Sequence, residues 1–226
     1  MNTLAQLQLL RFGSPALPIG LYSWSQGTET AIDAQLVCDA ATAEVWLTEV
    51  LRGPLARWEL PLLADAVTAV HAGDWAALTA LDERFLASRE TREARAEAEQ
   101  LGWSLGQLLQ ALPETPAVVQ AWLAREKRPG ALAAHALVAA VARCDARTLL
   151  AMYAGSWLEN QVAVLVKAVP LGQTTGQRLL SALLPRVALA VDAALALPEA
   201  ARSSLAPGLA WLGMRHECQY TRLFRS

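Results

Sequence analysis

Charged residues and β-branched residues are both scarce in this chain of 226 residues. Only 18% of the residues are charged whereas 54% are hydrophobic, a composition that excludes disorder and requires extensive burial. The formal net charge of −2 provides neither a basic surface for nucleic acid nor a broad field for an anionic membrane. Because alanine and leucine dominate, the composition favours helices over strands.

Cysteine is equally sparse, with Cys38, Cys144 and Cys218 far apart and in no C-x-x-C arrangement. This pattern predicts free thiols in a reducing compartment, the cytoplasm. Residues 1–12 lack the charged and apolar regions of a signal peptide. The most apolar segment, 129–142, is shorter than the roughly 20 residues of a spanning helix, so we expect no membrane association.

No alternating run demands a strand, and no internal repeat is present. The sequence therefore predicts an all-α fold, a single-domain helical bundle of about nine helices over residues 1–226. Helix boundaries are marked by candidate N-caps at Asp39, Asp74 and Asp145 and by Gly73 as a helix-ending glycine.

Two further segments carry specific helix predictions. Gly53-Pro54 is expected to break or kink the helix that begins after Asp39. The charged segment 82–100 is expected to form one helix that continues to Pro113. Its pairs Arg89–Glu93 and Arg95–Glu99, four residues apart, would stabilise a solvated face.

Polar residues interrupt the apolar helix within the stretch 154–180. Helical spacing places Tyr153, Trp157, Asn160, Val164 and Lys167 on one stripe. Buried amides and ammonium groups require partners. This helix is therefore either the core of a satisfied polar network or a surface for another protein.

Two short patterns invite a catalytic or nucleotide-binding interpretation. Gly102-Trp103-Ser104-Leu105-Gly106 matches a nucleophile elbow, but no strand precedes it; a small all-α enzyme using Ser104 or a carboxylate pair is the alternative class. Gly172 and Gly176 lack the spacing and the lysine of a phosphate loop, so a turn followed by a threonine-capped helix is preferred.

Metal ligands are few. His216 and Cys218 are candidates, although two residues apart on one helix they point in different directions. His71 and His135 are isolated among apolar residues. A structural site within one subunit is not expected, whereas a site shared across a dimer or with a partner remains open.

The C-terminal stretch 214–226 combines arginines with large apolar side chains, the composition of interface hot spots. Docking onto a partner or onto the protein's own fold is preferred to a frayed end. The residues concerned are Arg215, Arg222, Arg225, Tyr220, Leu223 and Phe224.

Four stretches together resemble the UreF family of urease accessory proteins: SPALPIGLYSWSQGTE (14–29), SRETREARAEAEQLGWSL (88–105), WLENQVAVLVKAVPLGQTTGQRLL (157–180) and MRHECQYTRLFRS (214–226). They occur in the family's order and span nearly the whole chain. Thr28, Leu101, Cys218 and Thr221 depart mildly from the family pattern.

The resemblance implies an all-helical, dimer-forming chaperone with no catalysis of its own. It would join a UreD/UreH-type protein to the GTPase UreG and help to deliver nickel to apo-urease (UreABC), with no tightly bound cofactor and at most transient nickel. Nickel carriage by His216 and Cys218 across a dimer is a third alternative.

The resemblance also implies where partners bind. The tail from Arg215 to Ser226, whose end at 222–226 depends on the partner, would become ordered on the UreD-type protein. The 13–27 loop, with Lys167 and the following turn, would contact the GTPase. Trp157 to Gln161 would pack inside, while Lys167 and the PLGQTTGQ turn emerge. The residues implied in partner contact are Arg215, His216, Gln219, Tyr220, Arg222, Leu223, Phe224, Arg225, Ser14, Pro15, Pro18, Tyr22, Ser23, Gln26, Lys167, Gly172 and Gln173.

Overall fold

The computed structural model describes residues 3–225, and within this range the chain forms helices and connecting loops without a strand. The predicted all-α, single-domain class is confirmed. The α-helices are α1 (Thr3–Phe12), α2 (Thr28–Asp33), α3 (Ala40–Val50), α4 (Leu60–Ala72), α5 (Trp75–Ala87), α6 (Arg92–Ala111), α7 (Ala117–Glu126), α8 (Ala131–Ala142), α9 (Ala146–Ala168), α10 (Gln173–Ala196) and α11 (Pro207–Glu217). Short 3-10 helices cover Leu21–Ser23 and Glu199–Ala201.

Helix starts and ends follow the predicted capping residues. The side chains of Asp39, Asp74 and Asp145 each accept a hydrogen bond from the backbone three residues later, at 2.8 to 2.9 Å. These bonds satisfy backbone N–H groups that the first turn of a helix leaves unpaired. Gly73 ends α4 with a left-handed φ of 70°, a conformation that glycine adopts without steric cost.

Gly53-Pro54 kinks the chain, as predicted, without separating α3 from α4. Leu51–Glu59 forms a π-helical connection, and Gly53 has non-helical dihedral angles of −86° and −110°. Proline removes one backbone donor and crowds the preceding turn, which accounts for the irregularity. The connection ends at Glu59, whose carboxylate faces the interior of the bundle.

The prediction of one continuous helix from 82 to 112 is wrong. The chain leaves helical geometry after Ala87 and re-enters it at Arg92, where the side chain of Thr91 accepts from the backbone of Ala94 at 3.0 Å. Arg89 pairs with Glu59 across the bundle at 2.8 Å instead of with Glu93. A capping threonine and a long-range ion pair together outweigh a helical pair worth a few tenths of a kcal/mol.

The hydrophobic core is centred on α8, where every residue except Ala140 is buried. Helix α8 packs against α4 and α6, and α9 packs along α10. The small side chains of α8 allow this close packing, because helices approach most closely where their contact residues are small. The short helix α2 lies between α9 and α11 and links the core to the C-terminal residues.

One helix in the described part of the chain, α10, is long and apolar enough to cross a membrane by length and composition. Its most apolar window of 18 residues has a mean hydropathy of 1.8. A third of that window is buried within the fold. Core helices of soluble proteins pass the same test, so the helix carries little weight as a membrane element.

Candidate partner-binding surface

The middle of α9 forms a buried polar network, as predicted for Trp157 to Gln161, although within residues 3–225 the side-chain oxygen of Asn160 has no hydrogen-bond partner. Asn160 is fully buried and its amide donates to the carbonyl oxygen of Trp24 at 3.0 Å. Gln161 accepts from the Thr28 hydroxyl at 2.6 Å and donates to Gln26 at 3.3 Å. Only Glu159 in this stretch is exposed. These bonds fix the segment that follows the N-terminal loop onto α9.

Gln26 is the hub of this network. Its side-chain oxygen accepts from the indole of Trp157 at 2.7 Å, and its amide donates to Glu97 at 2.7 Å. Its backbone has a φ of 54°, a left-handed conformation that costs free energy in residues other than glycine. The side chain of Gln26 points inward. It therefore supports the N-terminal loop from inside the fold and does not itself face a partner.

The far end of α9 is exposed, which confirms the predicted division of the helix. Lys167 is exposed whereas Asn160, two turns earlier, is not. The Lys167 ammonium lies 5.2 Å from the centroid of the Phe224 ring, a cation–π geometry. Gly172 and Gln173 are exposed at the start of α10. Gly172 is the N-cap and no side chain caps the helix, so the predicted threonine cap is wrong.

The C-terminal residues dock onto the protein's own fold. The Glu29 carboxylate accepts from the backbone N–H groups of Leu223 at 2.6 Å and Phe224 at 3.0 Å. Arg222 pairs with Glu93 at 2.6 Å, and the backbone of Arg225 donates to the carbonyl oxygen of Ser23 at 2.8 Å. Of the tail predicted over 222–226, Ser226 lies outside the described residues.

His216 joins this arrangement from α11. Its Nδ1 lies 2.7 Å from Glu93 and its Nε2 lies 3.1 Å from Glu29, and the side chain has no exposure. His216 therefore bridges α2 and α6 beneath the tail, and Phe224, also buried, packs in the same layer.

The two predicted metal ligands are not brought together. Cys218 is exposed at the end of α11, in a groove with Asp33, Trp211 and Met214, while both His216 nitrogens contact carboxylates. Within residues 3–225 no three His, Cys, Asp or Glu side chains are grouped to hold a metal ion. Metal binding by this pair remains a prediction that requires a rearrangement or a second subunit.

Large side chains around the docked tail face solvent. Tyr220 is fully exposed, and Leu223, Trp211 and Met214 are each at least half exposed. The Arg215 guanidinium lies 5.0 Å above the Trp211 ring. The Gln219 side chain, by contrast, is tied to the backbone, since its amide donates to the carbonyl oxygen of Thr221 at 2.9 Å. Aromatic, apolar and arginine side chains exposed together are typical of protein interaction sites.

The N-terminal loop lies beside this region. Pro15, Pro18 and Ser23 are exposed, whereas Ser14 and Tyr22 are partly buried. Burial, and secondly the charge of Glu159, raises the pKa of Tyr22 to about 12. Tyr22 therefore stays protonated at neutral pH.

A cavity of about 160 Å³ lies beneath the loop, and the sequence interpretation did not foresee it. Three of the residues that line the cavity are connected to one another. The Glu59 carboxylate accepts from the Arg89 guanidinium at 2.8 Å and from the Tyr153 hydroxyl at 3.1 Å. Burial raises the pKa of Glu97 to about 7, against the lowering effect of the Gln26 hydrogen bond. The only sequence signal was a set of charged residues, which the helical pattern had assigned to a solvated face.

The nucleophile-elbow pattern has a packing explanation. Gly102 and Gly106 lie inside α6, and Ser104 is not preceded by a strand. A Cβ atom at Gly102 would come within 2.2 Å of the Gly130 carbonyl carbon, so the close approach of the loop before α8 requires glycine here. The elbow chemistry needs a strained strand-to-helix turn, which is absent.

Comparison with known proteins identifies the family of the chain. A family model described as UreF matches residues 37–184. The chain belongs to the UreF family. It is 52% identical over 217 residues to the urease accessory protein UreF of Pseudomonas aeruginosa strain PAO1, which covers 96% of this chain and 97% of that protein. The proteins of the same name from Azotobacter vinelandii and Ectopseudomonas mendocina are 50% and 49% identical, each over 218 residues with the same coverage.

The near full-length match extends the relationship to both ends of the fold. The family model alone stops before the C-terminal half of α10, whereas the relatives align over almost the whole chain. The UreF-family relationship therefore covers 96% of the chain. The resemblance inferred from the four sequence stretches is confirmed.

Proposed function

We propose that this urease accessory protein is a maturation chaperone without catalysis of its own, which bridges a UreD/UreH-type protein and the GTPase UreG. The assembly would deliver nickel, as cargo, into apo-urease (UreABC) in the cytoplasm. The protein would act as a homodimer and bind no cofactor tightly. Nucleic acid and membranes would not be partners.

The observation that supports this proposal is the contact between three segments far apart in the sequence. Arg225 donates through its backbone to Ser23 of the N-terminal loop, and its guanidinium lies 5.7 Å from the Trp24 ring. Phe224 lies against Lys167 at the end of α9. The tail, the loop and the lysine thus form one continuous surface, hereafter the composite surface. Adjacent binding residues of this kind would let one protein hold two partners side by side.

The tail portion of the composite surface suits the UreD-type protein. It exposes Tyr220 and Leu223 with the arginines Arg222 and Arg225. Aromatic and arginine residues contribute disproportionately to binding free energy at protein interfaces. We assign this portion to the stable contact of the assembly.

The GTPase portion would include Lys167 and the exposed turn at Gly172 and Gln173. A lysine presented to a GTPase can either stabilise charge in the transition state or restrain the switch residues. GTP hydrolysis by UreG, measured with the wild-type complex and with Lys167→Ala, separates these two modes by the direction of the change. Equal rates would refute a regulatory role for this lysine.

The proposal is tested by co-expressing the chain with its cognate accessory proteins and urease. A chain ending at Thr221 should capture at least about tenfold less UreD-type protein, because four docked residues of the composite surface are removed. Urease from those cells should contain correspondingly less nickel. Undiminished capture and nickel loading would refute the assigned role of the tail.

A further inference from the structure

We propose that Glu97 on α6 is a proton-dependent positioning residue that holds the N-terminal loop, residues 13–27, over the cavity. When the loop opens, Glu97 meets water and loses its proton, so the loop is closed more firmly at lower pH. The proposal concerns the free protein and goes beyond the proposed function. The loop carries residues assigned to the GTPase contact, and only this consequence for assembly rests on the proposed function.

The first argument is the way in which the loop is attached. Within residues 3–225, its backbone N–H groups that donate to carbonyl oxygens reach no further than four residues along the chain. Side chains of α9 fasten the loop instead, since Ser156 donates to the Gly13 carbonyl oxygen and Asn160 to that of Trp24, both at 3.0 Å. A segment whose own backbone donors bond to near neighbours can open locally while the helices stay intact.

The second argument is the contact of the loop with α6, which the Gln26 side chain makes. Its amide donates to Glu97 at 2.7 Å, and its oxygen accepts from Trp157 and Gln161 on α9. Gln26 and the next residue, Gly27, have positive φ values of 54° and 83°, so the chain bends sharply here. Gln26 therefore joins α6 to α9 at the inner end of the loop.

The third argument is the balance of charge around Glu97, which is 7% exposed. Arg89 is the arginine of the cavity lining, and its guanidinium is already paired with Glu59 at 2.8 Å. One cation cannot neutralise two buried carboxylates, so an ionised Glu97 is an uncompensated charge away from water. For this reason burial raises the pKa of Glu97 to about 7, although the Gln26 hydrogen bond and the Arg89 charge lower it.

The other described ionisable groups that line the cavity respond differently. Burial raises the pKa of Tyr22 to about 12 and that of Tyr153 well above its usual range, so both stay protonated at neutral pH. Burial lowers the pKa of His135, so an opening that exposed this ring would take up a proton and be favoured at lower pH, the opposite direction. Glu90 is already exposed with the loop closed.

Proton linkage gives the direction and the shape of the pH dependence. The pKa of Glu97 is about 7 with the loop closed and 4.5 when the carboxyl is solvated, so opening releases a proton between these values. The opening equilibrium should therefore rise by up to about tenfold per pH unit through this window, and it should be constant at higher and at lower pH.

The experiment measures hydrogen exchange of the free, full-length protein by NMR from about pH 5 to about pH 8.5, with rates corrected for the chemical pH dependence of exchange. The Ser23 and Trp24 amides bond within one short 3-10 turn of the loop, which gives little protection once it leaves the fold. Their protection should fall by up to about tenfold per pH unit until pH 7 and then level off.

Two results for the wild-type protein would overturn the proposal. The first is protection of these loop amides that does not depend on pH. The second is protection equal at every pH to that of the Leu137 amide in α8, because the loop would then open only with the whole fold.

Glu97→Gln keeps an acceptor for Gln26 and cannot ionise, so protection of the loop amides should be the same at every pH. A retained pH dependence in this variant would refute the role of Glu97. The matched control is Glu90→Gln, which removes a carboxyl from the exposed edge of the same cavity. It should leave the wild-type pH dependence unchanged, and loss of that dependence would assign the titration to Glu90 instead.

Gln26→Ala separates the hydrogen bond from the carboxyl itself. The Gln26 amide favours the ionised form of Glu97, so without it the pH at which loop protection levels off should move above the wild-type value. Loop protection should also be at least about fivefold lower at every pH, because a bond that closes the loop is lost. An unchanged levelling pH would contradict positioning of the loop through this bond.

Discussion

The layer around α8 and the layer where α2, α9 and α11 meet the tail are both buried, but they differ in the polarity of their buried side chains. Helix α8 is almost entirely apolar, with His135 as its one buried polar side chain. The second layer, hereafter the polar layer, buries Thr28, Glu29, Asn160, Gln161 and His216.

This difference indicates that one layer mainly stabilises the fold and that the other selects one arrangement of the buried groups. Apolar contacts are non-directional, so the α8 layer stabilises the fold without selecting one exact arrangement. In the polar layer each donor has a particular acceptor, and a slipped arrangement leaves buried groups unpaired. The composite surface rests on the polar layer, where geometry is fixed most strictly.

The largest expected effect tests the apolar layer. Leu137→Ala removes a fully buried side chain from α8 and should lower the free energy of unfolding by about 2 to 5 kcal/mol, through lost transfer free energy and a residual cavity. Denaturant unfolding measures the change. Leu189→Ala, on a leucine that is 67% exposed, is the control and should change it by less than about 0.5 kcal/mol.

A pH-dependent effect of comparable size is expected at Glu97, which lines the cavity between the two layers. Its pKa rises from 4.5 to about 7 on folding, so the folded state binds the proton more tightly. The wild-type protein should therefore lose stability as pH rises from 4.5 to 7, by on the order of 3 kcal/mol at 1.36 kcal/mol per unit.

The variant Glu97→Gln keeps an acceptor for Gln26 and cannot ionise. Its stability relative to wild type should rise across the same pH window and level off above it. Glu99→Gln, on the exposed helical pair with Arg95, is the control and should show no such trend. A pH-independent difference for Glu97→Gln would contradict the assigned burial.

A smaller effect is expected in the polar layer. Gln161→Ala removes the acceptor of Thr28 and a donor to Gln26, and should cost about 1 to 3 kcal/mol because buried partners are left unsatisfied. Thermal and denaturant unfolding measure it. Gln177→Ala, on an exposed glutamine of α10, should be nearly neutral. Equal costs at the two positions would remove the distinction between the layers.

The smallest effect on stability is expected at Lys167. Lys167→Ala should change the free energy of unfolding by less than about 0.5 kcal/mol, since the side chain is exposed. Urease activation in cells should nevertheless fall, because the proposed contact with the GTPase is lost. Arg147→Ala, an exposed cation at the other end of α9, should leave activation unchanged. A destabilised Lys167→Ala would place the lysine in a structural role.

Local signals in the sequence were sufficient to predict features that depend on interactions between residues close together in the chain. The caps at Asp39, Asp74 and Asp145 and the glycine after α4 depend on neighbours within a few residues, and all four were predicted correctly. The break before α6 was missed because Arg89 takes a partner 30 residues away. Spacing along one helix cannot reveal a competing ion pair on another element.

In the candidate site, too, the features that depend on local patterns were predicted and the contacts between distant residues were not. The composition of the tail predicted docking, and the polar residues of α9 predicted a network. Neither pattern indicated that Glu29 binds the tail, because the two are more than 190 residues apart in the chain. The cavity lining was also not predicted, since its charged residues follow the pattern of a solvated helix.

The sequence by itself determined the all-α class, most helix boundaries, the UreF resemblance and the division of α9 into a buried half and an exposed end. The class and the helix boundaries follow from periodicity and capping, which act over short separations. The division of α9 was implied by the family resemblance, since helical spacing alone put Asn160 and Lys167 on one stripe. Only the tertiary structure decided which groups are paired, from Arg89 with Glu59 to the tail with Glu29. Pairing between distant residues depends on how the helices pack, and a buried charge adopts whichever partner that packing brings within hydrogen-bonding distance.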